Sequence, residues 1–545
     1  MGCGNFLITT YKAIRELELE VLKEQQKDDE HLGATLTIEP LISLDHYHGI
    51  EIEEWPARIA EVAMWLTQHQ MNREFAKQFG REPDLLPLKT AAHIKQDNAL
   101  TLDWGEVVPP KNLGYIIGNP PFVGKKEQSK SQKEEVTSIF KGVKKSGILD
   151  FVACWYIKAA KYSQLNQNIH TAFVSTNSIT QGEQVAVLWQ VLSSLGVTIN
   201  FAHRTFEWTS EARGRAAVHV VIIGFGLTNK KEKLLFEYES LKSAPQPRTV
   251  KNINSYLVDT LDVFLTNRSN PLCDVSEVSY GSFALDDGNY TLSADDKNKI
   301  LVEHPEADHY IRPFIGGREL IQGKDRYCLW LKDANPKDII KITPIRNRVE
   351  RVREWREKSK RETTKKLAKT PAIFAEIRQP TSSYIAFPTL SSVNRVYIPI
   401  IMLNEDVIAS NQVYVIAGAT LYNFGLLTSM MHMAWVKAIC GRFKSDYRYS
   451  ASIVYNNFPW PEPDNTQKEK VEKAAQAVLD ARELYPDSSL ADLYHRLTMP
   501  PELCKAHNAL DKAVDRCYRK EPFKGDAERL KLLFERYAAL TGKLV

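Results

Sequence analysis

Apolar residues in the first 230 positions come in short runs that alternate with amphipathic stretches. Residues 113–117 form one such run, closed by Gly118, and read as a buried strand ending in a turn. Residues 46–52, 171–175 and 217–225 carry the same strand signal. Residues 13–26, 56–69 and 150–162 are helical in character. In 56–69, Ile59, Val62, Ala63 and Leu66 recur at helical spacing and predict one buried face. Strands alternating with helices predict an α/β fold, a mostly parallel sheet covered by helices, with ligands at the carboxyl ends of its strands. From about residue 300 the pattern changes. A new unit opens at 310–320, with strand-like pieces at 327–331, 372–377, 383–387, 395–401 and 412–417. Between them, 345–369 is strongly helical, with Ile345, Val349 and Val352 on its buried side. The acidic, proline-rich stretch 459–464 marks a boundary, and 468–484, 500–519 and 526–540 then read as amphipathic helices. This divides the chain into a first domain (1–230), a connector (231–305), a mixed α+β domain (306–462) and a helical domain (463–545).

The 545 residues suffice for several domains, and a hydrophobic fraction of 43% supplies real cores. Charged residues make up 25%, yet the net charge is only +4. The chain is therefore no basic coat for nucleic acid, and any DNA-binding charge is local. The seven cysteines show no CxxC spacing and no paired framework, which predicts reduced thiols, no metal site and a cytoplasmic protein. No run approaches the ~18 consecutive apolar residues of a membrane span. The first residues lack the basic start of a signal peptide.

Candidate chemistry gathers at the predicted strand ends. Asn119-Pro120-Pro121-Phe122 follows the 113–117 strand. The Asn side-chain oxygen and the Pro120 carbonyl are two acceptors for an exocyclic amine, the prolines fix the backbone that aims them, and Phe122 offers a flat face for stacking. A chance Pro-Pro turn gives the same four residues. Gly2, Gly4, Asn5 and Phe6 lead directly into a helix, where glycines let backbone approach a ligand. Glu51 ends the next strand, where a carboxylate can accept from ribose hydroxyls. Asp97 follows 93–96 and can accept from an adenine amino group. Singly, Glu51 and Asp97 read as surface carboxylates; their order and spacing with the tetrapeptide favour ligand roles.

In that order the motifs resemble the DNA adenine methyltransferases that use S-adenosylmethionine and place the cofactor motif first, the catalytic motif next and target recognition last. Residues 149–156, 173–178 and 203–208 extend the resemblance to one branch, the MmeI-like (type IIL) restriction-modification enzymes. The resemblance implies a Rossmann-like class I methyltransferase sheet, a mixed α+β target recognition domain and a helical C-terminal domain. It implies S-adenosylmethionine at Gly2, Gly4, Asn5, Phe6, Glu51 and Asp97, and double-stranded DNA as partner. It further implies methylation of adenine N6 on a flipped base at Asn119, Pro120, Pro121 and Phe122. Phe206 would be the second aromatic against that base; its other reading is a core aromatic. One departure stands out. Family members carry a strand ending Asp-Pro-x-Cys-Gly-x-Gly-Asn-Phe, and Met1 stands where that Cys belongs. The expectation is a sheet missing its first strand, with unpaired backbone on both neighbours. The chain would then be the carboxyl-terminal portion of a longer enzyme, whether a truncated gene, a start placed too late or half of a split system whose upstream polypeptide supplies that strand and the nuclease, and methyl transfer by this chain alone would be weak or absent.

In the later domain, the 345–369 helix concentrates Arg346, Arg348, Arg351, Arg353, Arg356, Lys358, Lys360, Arg361, Lys365 and Lys366. This is either a stripe for phosphates or a solvated amphipathic helix. Glu376 and Arg378, two apart in a predicted strand, share a face and suit one C·G pair, though a same-face salt bridge fits them equally. Their position also resembles one where the family carries a base-reading pair. Lys444, Tyr447, Arg448 and Tyr449 are further candidates for DNA contact. Three functions compete: an adenine N6 DNA methyltransferase, a non-catalytic DNA-binding fragment with a vestigial cofactor site, and a protein or RNA methyltransferase. The large second domain counts against the last.

Overall fold

Helices connect only some of the strands in the first 253 residues, and the described strands pair as often antiparallel as parallel, so the expected mostly parallel sheet is mixed. The computed structural model describes residues 2–32, 39–80, 83, 92–208, 218–240 and 243–542. It falls into one unit of Met1–Ile179 with Ala186–Ile253 and a second of Thr180–Val185 with Asn254–Val545.

In the first unit, β1 (His48–Glu51) pairs in parallel with β2 (His93–Gln96), Glu51 standing opposite Gln96. A separate six-stranded sheet comprises β3 (Tyr115–Gly118), β4 (His170–Thr176), β5 (Thr198–Trp208), β6 (Val218–Gly226), β7 (Lys233–Glu237) and β8 (Gln246–Val250), in the order β3-β4-β6-β5-β7-β8. β3 is parallel to β4 and β5 to β7, while β6 runs antiparallel between β4 and β5. The strands β3, β4, β5 and β7 therefore point the same way. β7 and β8 come from the stretch read as a connector. β1 pairs only with β2, and β3 only with β4, so each keeps one edge without a strand partner among the described residues. Tyr115, at the start of β3, is accordingly 71% exposed.

Two long helices pack beside β1 and β2: α1 (Asn5–Leu32) and α2 (Glu54–Phe79). The buried face of α2 is Ala57, Ala60, Met64, Thr67, Met71 and Phe75. The predicted face is the wrong one. Ile59, Val62 and Leu66 are exposed and form a stripe with Trp55. Small residues decide the matter: a Cβ on Gly4, whose φ is +86°, would stand 2.9 Å from Ala60 Cβ, so α2 meets the start of α1 through its alanines.

In the second unit, an antiparallel sheet runs Ile401–Leu403, Tyr384–Pro388, Val413–Ala417, Ser279–Tyr280. The helix Thr343–Glu357 buries Ile345, Val349 and Val352 as expected, stops, and resumes at Glu362–Lys366. Residues 372–377 form no regular strand; Glu376 makes only an isolated antiparallel bridge with Phe283. The carboxyl-terminal helices Asn465–Glu483, Pro501–Tyr518 and Asp526–Thr541 pack on Leu421–Leu427 and Met430–Ile439. Gly425 lets them close in, since a Cβ there would lie 3.0–3.1 Å from Val471, Ala475 and Leu510.

Candidate active site and nucleic-acid interface

β3 ends where its sequence stops supporting a strand. Gly118 is the last paired residue, opposite Phe173 of β4, and two prolines without N–H donors follow one residue later. Asn119 is therefore delivered at the carboxyl end of a parallel strand. It is exposed, Pro120 is buried, Pro121 is exposed and Phe122 is half-buried. Among the described residues nothing hydrogen-bonds to the Asn119 side chain or the Pro120 carbonyl. Both acceptors are thus unengaged.

The loop is braced from behind. Phe151 N–H donates to the Val123 carbonyl at 2.9 Å, and the Gln128 amide donates to Val123 O at 3.4 Å and Leu149 O at 3.0 Å. Asp150 accepts from Thr176 Oγ1 at 2.9 Å, which ties this support to the end of β4. Tyr156, fully buried, reaches Ser175 Oγ at 2.7 Å. The motif 149–156 is thus the scaffold of the 119–122 loop.

Phe206 lies on β5 at the same end of the sheet. Its partner Val220 is also the partner of Thr176, the last residue of β4. A register shift between His203 and Phe206 bends β5 just before it. Three strand spacings separate β5 from β3, roughly 14 Å. The Phe206 ring is half-buried and stacks on Tyr238, with centroids 5.0 Å apart and planes at 19°. Tyr238 was not anticipated; no motif signals it, because only the β5–β7 pairing brings it there.

The cofactor candidates gather at the carboxyl ends of β1 and β2. Asp97 N–H donates to the Glu51 carbonyl at 2.9 Å, which sets the two residues side by side. The Glu51 carboxylate accepts from Gly2 N–H and, at 3.2 Å, from Glu53 N–H. Asp97 is half-buried and accepts from Asn98 N–H at 2.7 Å. Asn98 Nδ2 in turn donates to Glu135 at 2.5 Å, on α3 (Lys130–Ile139), the helix that follows the 119–122 loop. The glycines divide their labour. Gly2 is exposed, at φ +64°, with open space where a Cβ would be, whereas Gly4 serves helix packing. Asn5 is exposed at the start of α1, and Phe6 is half-buried.

In the second unit, Glu376 and Arg378 are both exposed and joined as an ion pair. Lys444 sits at the turn of the hairpin Gly441–Phe443/Asp446–Arg448 with φ +56°, and Arg448 is exposed on its second strand. Tyr447 and Tyr449 are not surface contacts. Tyr447 is covered by the Arg442 guanidinium at 3.8 Å, and Tyr449 is buried with its hydroxyl 3.0 Å from His432 Nε2. Phe443, missed from sequence, is 56% exposed beside Lys444. The basic stripe loses Arg356, which is fully buried, while Arg351, Arg353, Lys358, Lys360, Arg361, Lys365 and Lys366 are exposed. Among the described residues no helix is long and apolar enough to cross a membrane.

Residues 1–237 match the MmeI DNA-methyltransferase domain, 259–462 the MmeI target recognition domain and 463–545 the MmeI C-terminal domain. The chain is similar to the type IIL restriction-modification enzyme MmeI, solved in complex with DNA. The TM-score is 0.84 and the identity 47%, covering 99% of this chain and 72% of that one. It is also 41% identical over 544 residues to DNA methyltransferase A of Bacillus subtilis (strain 168), covering 99% of this chain but only 60% of that curated relative. With three successive domain matches and a solved relative at this identity, the chain belongs to the MmeI-like family of type IIL restriction-modification proteins.

Proposed function

We propose that this chain is the methyl-transferring and sequence-reading part of a site-specific DNA methyltransferase in a restriction-modification system. It acts on adenine N6 in duplex DNA, in the cytoplasm. One observation carries the reading: Asn119 is exposed at the carboxyl end of a parallel strand, with its side chain and the neighbouring Pro120 carbonyl both unengaged. Adenine N6 is a weak nucleophile because its lone pair is delocalised into the ring. Asn119 Oδ1 and Pro120 O accept its two hydrogens, fix the nitrogen and favour charge building on it. The base reaches them only after flipping, which costs a few kcal/mol. Phe122 on one side and the Phe206–Tyr238 stack on the other offer ring faces to offset that cost.

The residues present fit S-adenosylmethionine. Two carboxylates adjoin at strand ends, for ribose hydroxyls and an adenine amine, beside exposed backbone at Gly2 with room around it. When bound, the cofactor supplies an electrophilic methyl group. Glu51 and Asp97 hold and orient it, and Asn5 and Phe6 border it. Glu376, Arg378, Lys444 and Arg448 contact DNA. The one-sided pairing of β1 and β3 among the described residues supports a further partner, an upstream polypeptide that adds a parallel strand; the family resemblance alone assigns the nuclease to it.

The same open edges favour a second reading, a DNA-binding fragment with a vestigial cofactor site. One experiment tests the added strand, and a second separates the two readings. Calorimetric titration of the chain alone with S-adenosylmethionine is expected to show no micromolar binding; micromolar binding would refute the need for an added strand. The chain is then fused to the part of the Bacillus subtilis relative outside the matched region, and its DNA products are read by mass spectrometry. N6-methyladenine supports the transferase; a fusion that binds DNA and forms none supports the fragment.

A further inference from the structure

The geometry points to Arg356 as the positioning residue for base readout: from inside the second unit it fixes the main-chain pairing that presents Glu376 and Arg378. This rests on the proposed reading of those two residues as base contacts.

By sequence, Arg356 belongs to a stripe of surface cations. In the structure it is 0% exposed, and among the described residues no carboxylate forms an ion pair with it. Burying a guanidinium that way is costly unless its donors are satisfied. They are satisfied entirely by main-chain carbonyls. Nε donates to Leu285 O at 3.0 Å. Nη1 donates to Leu367 O at 3.1 Å, Thr370 O at 3.2 Å and, most weakly, Pro371 O at 3.5 Å. Nη2 donates to Ala284 O at 2.9 Å and Ile373 O at 3.0 Å. The five N–H groups of a rigid planar fork suit this task, and the three of a lysine do not.

The carbonyls it gathers flank the readout pair. Phe283 and Glu376 exchange both main-chain hydrogen bonds, at 2.9 and 3.1 Å, and Ala375 N–H donates to Ala284 O at 3.3 Å. Arg378 N–H donates to Ser282 Oγ at 3.0 Å. Arg356 thus holds the two residues after Phe283 and, on the opposing segment, Ile373, three positions before Glu376. Residues 372–377 have no regular ladder to hold them, since Glu376 makes only an isolated bridge. The guanidinium takes over that role. It also anchors a strained backbone: Leu285 (φ +51°) and Asp287 (φ +52°) are both left-handed without being glycine. Glu376 and Arg378 are exposed, so the direction in which their side chains point is set by this backbone.

The test uses the full chain, with base preference read by selection from randomised duplexes and by equilibrium binding. Glu376→Ala is expected to erase the preference at one base pair. Arg356→Lys is expected to weaken that same preference about tenfold, leaving other positions and the salt dependence of binding unchanged. If Arg356→Lys does not fold, Ala375→Pro, which deletes the N–H that donates to Ala284 O without touching the interior charge, is expected to weaken the same position. A wild-type chain with no base preference, or a Glu376→Ala variant with unaltered preference, sinks the readout reading itself. A Glu376→Ala effect combined with wild-type preference in the folded Arg356→Lys or Ala375→Pro variant overturns the role of Arg356. So does an Arg356→Lys loss spread evenly over all positions, which marks a merely structural residue.

Discussion

Replacing Gly4 with alanine should loosen the α1–α2 pair far more than the same change at Gly2, although both glycines belong to one short motif. At Gly4 the backbone is left-handed (φ +86°), and the new methyl would stand 2.9 Å from Ala60 Cβ and 3.3 Å from Ala60 Cα. The left-handed conformation costs an L-residue ~1–2 kcal/mol. Forcing a methyl into a packed seam adds ~1–3 kcal/mol. The combined penalty is about 2–5 kcal/mol. At Gly2 (φ +64°) nothing lies within 4 Å of the added Cβ, so only the conformational ~1–2 kcal/mol applies. Hydrogen exchange followed by mass spectrometry over residues 5–32 and 54–79 reads the difference. For amides that exchange through opening of this pair, 2 kcal/mol corresponds to roughly thirtyfold faster exchange. Gly4→Ala should show at least that across both helices, and Gly2→Ala clearly less. Equal protection in the two variants, or wild-type protection in Gly4→Ala, would refute the claim that Gly4 is a packing glycine.

Other consequences are equally open to measurement. Burial depresses the His432 imidazole to about 4. The unfolded chain therefore binds a proton there that the folded chain does not, and stability is lost as pH falls from about 6.5 towards 4; His432→Gln should flatten that part of the pH–stability curve. Asp511 has the opposite sign, since burial raises its carboxyl to about 6. It favours folding below pH ~4 and loses that contribution as pH rises through 6, so Asp511→Asn should flatten that part of the pH–stability curve in urea unfolding. Asn457 is fully buried; its amide donates to Thr266 O, Ser452 O and Ile453 O at 3.0–3.1 Å, and its oxygen accepts from Arg268 Nε at 3.0 Å. Asn457→Ala should destabilise by about 3 kcal/mol, and a neutral result in urea would contradict the bonding described. Ile59→Gln with Leu66→Gln should change stability by less than about 0.5 kcal/mol per site in urea unfolding, and a loss of roughly 2 kcal/mol or more would place that face in the interior.

Much of this molecule was legible residue by residue. Asn119 is placed by chemistry that needs no partner: Gly118 and two prolines end β3 wherever the chain folds. The last three helices are legible because each has a single apolar face. What was not legible depends on partners distant in sequence. In α2 both Ala57/Ala60 and Ile59/Leu66 recur at helical spacing, and the approach of Gly4, with Met64, Met71 and Phe75 packed beside Tyr11, Leu19 and Tyr47, selects the alanine face. Arg356 reads as surface by residue type, and only six assembled carbonyls make an interior guanidinium tenable. Tyr447 and Tyr449 read as DNA contacts until the Arg442 stack and the His432 bond account for them. Tyr238 reaches Phe206 only through the β5–β7 pairing.

The account stands on the two acceptors at the end of β3, and single-turnover methyl transfer tests them most directly. Wild-type and Asn119→Ala chains, each fused to the complementary segment of the Bacillus subtilis relative, would receive labelled S-adenosylmethionine and duplex DNA. The wild type should deposit label on adenine N6, and the variant should deposit none while binding DNA with unchanged affinity. Equal label from both proteins, or label recovered on cytosine N4, would contradict it.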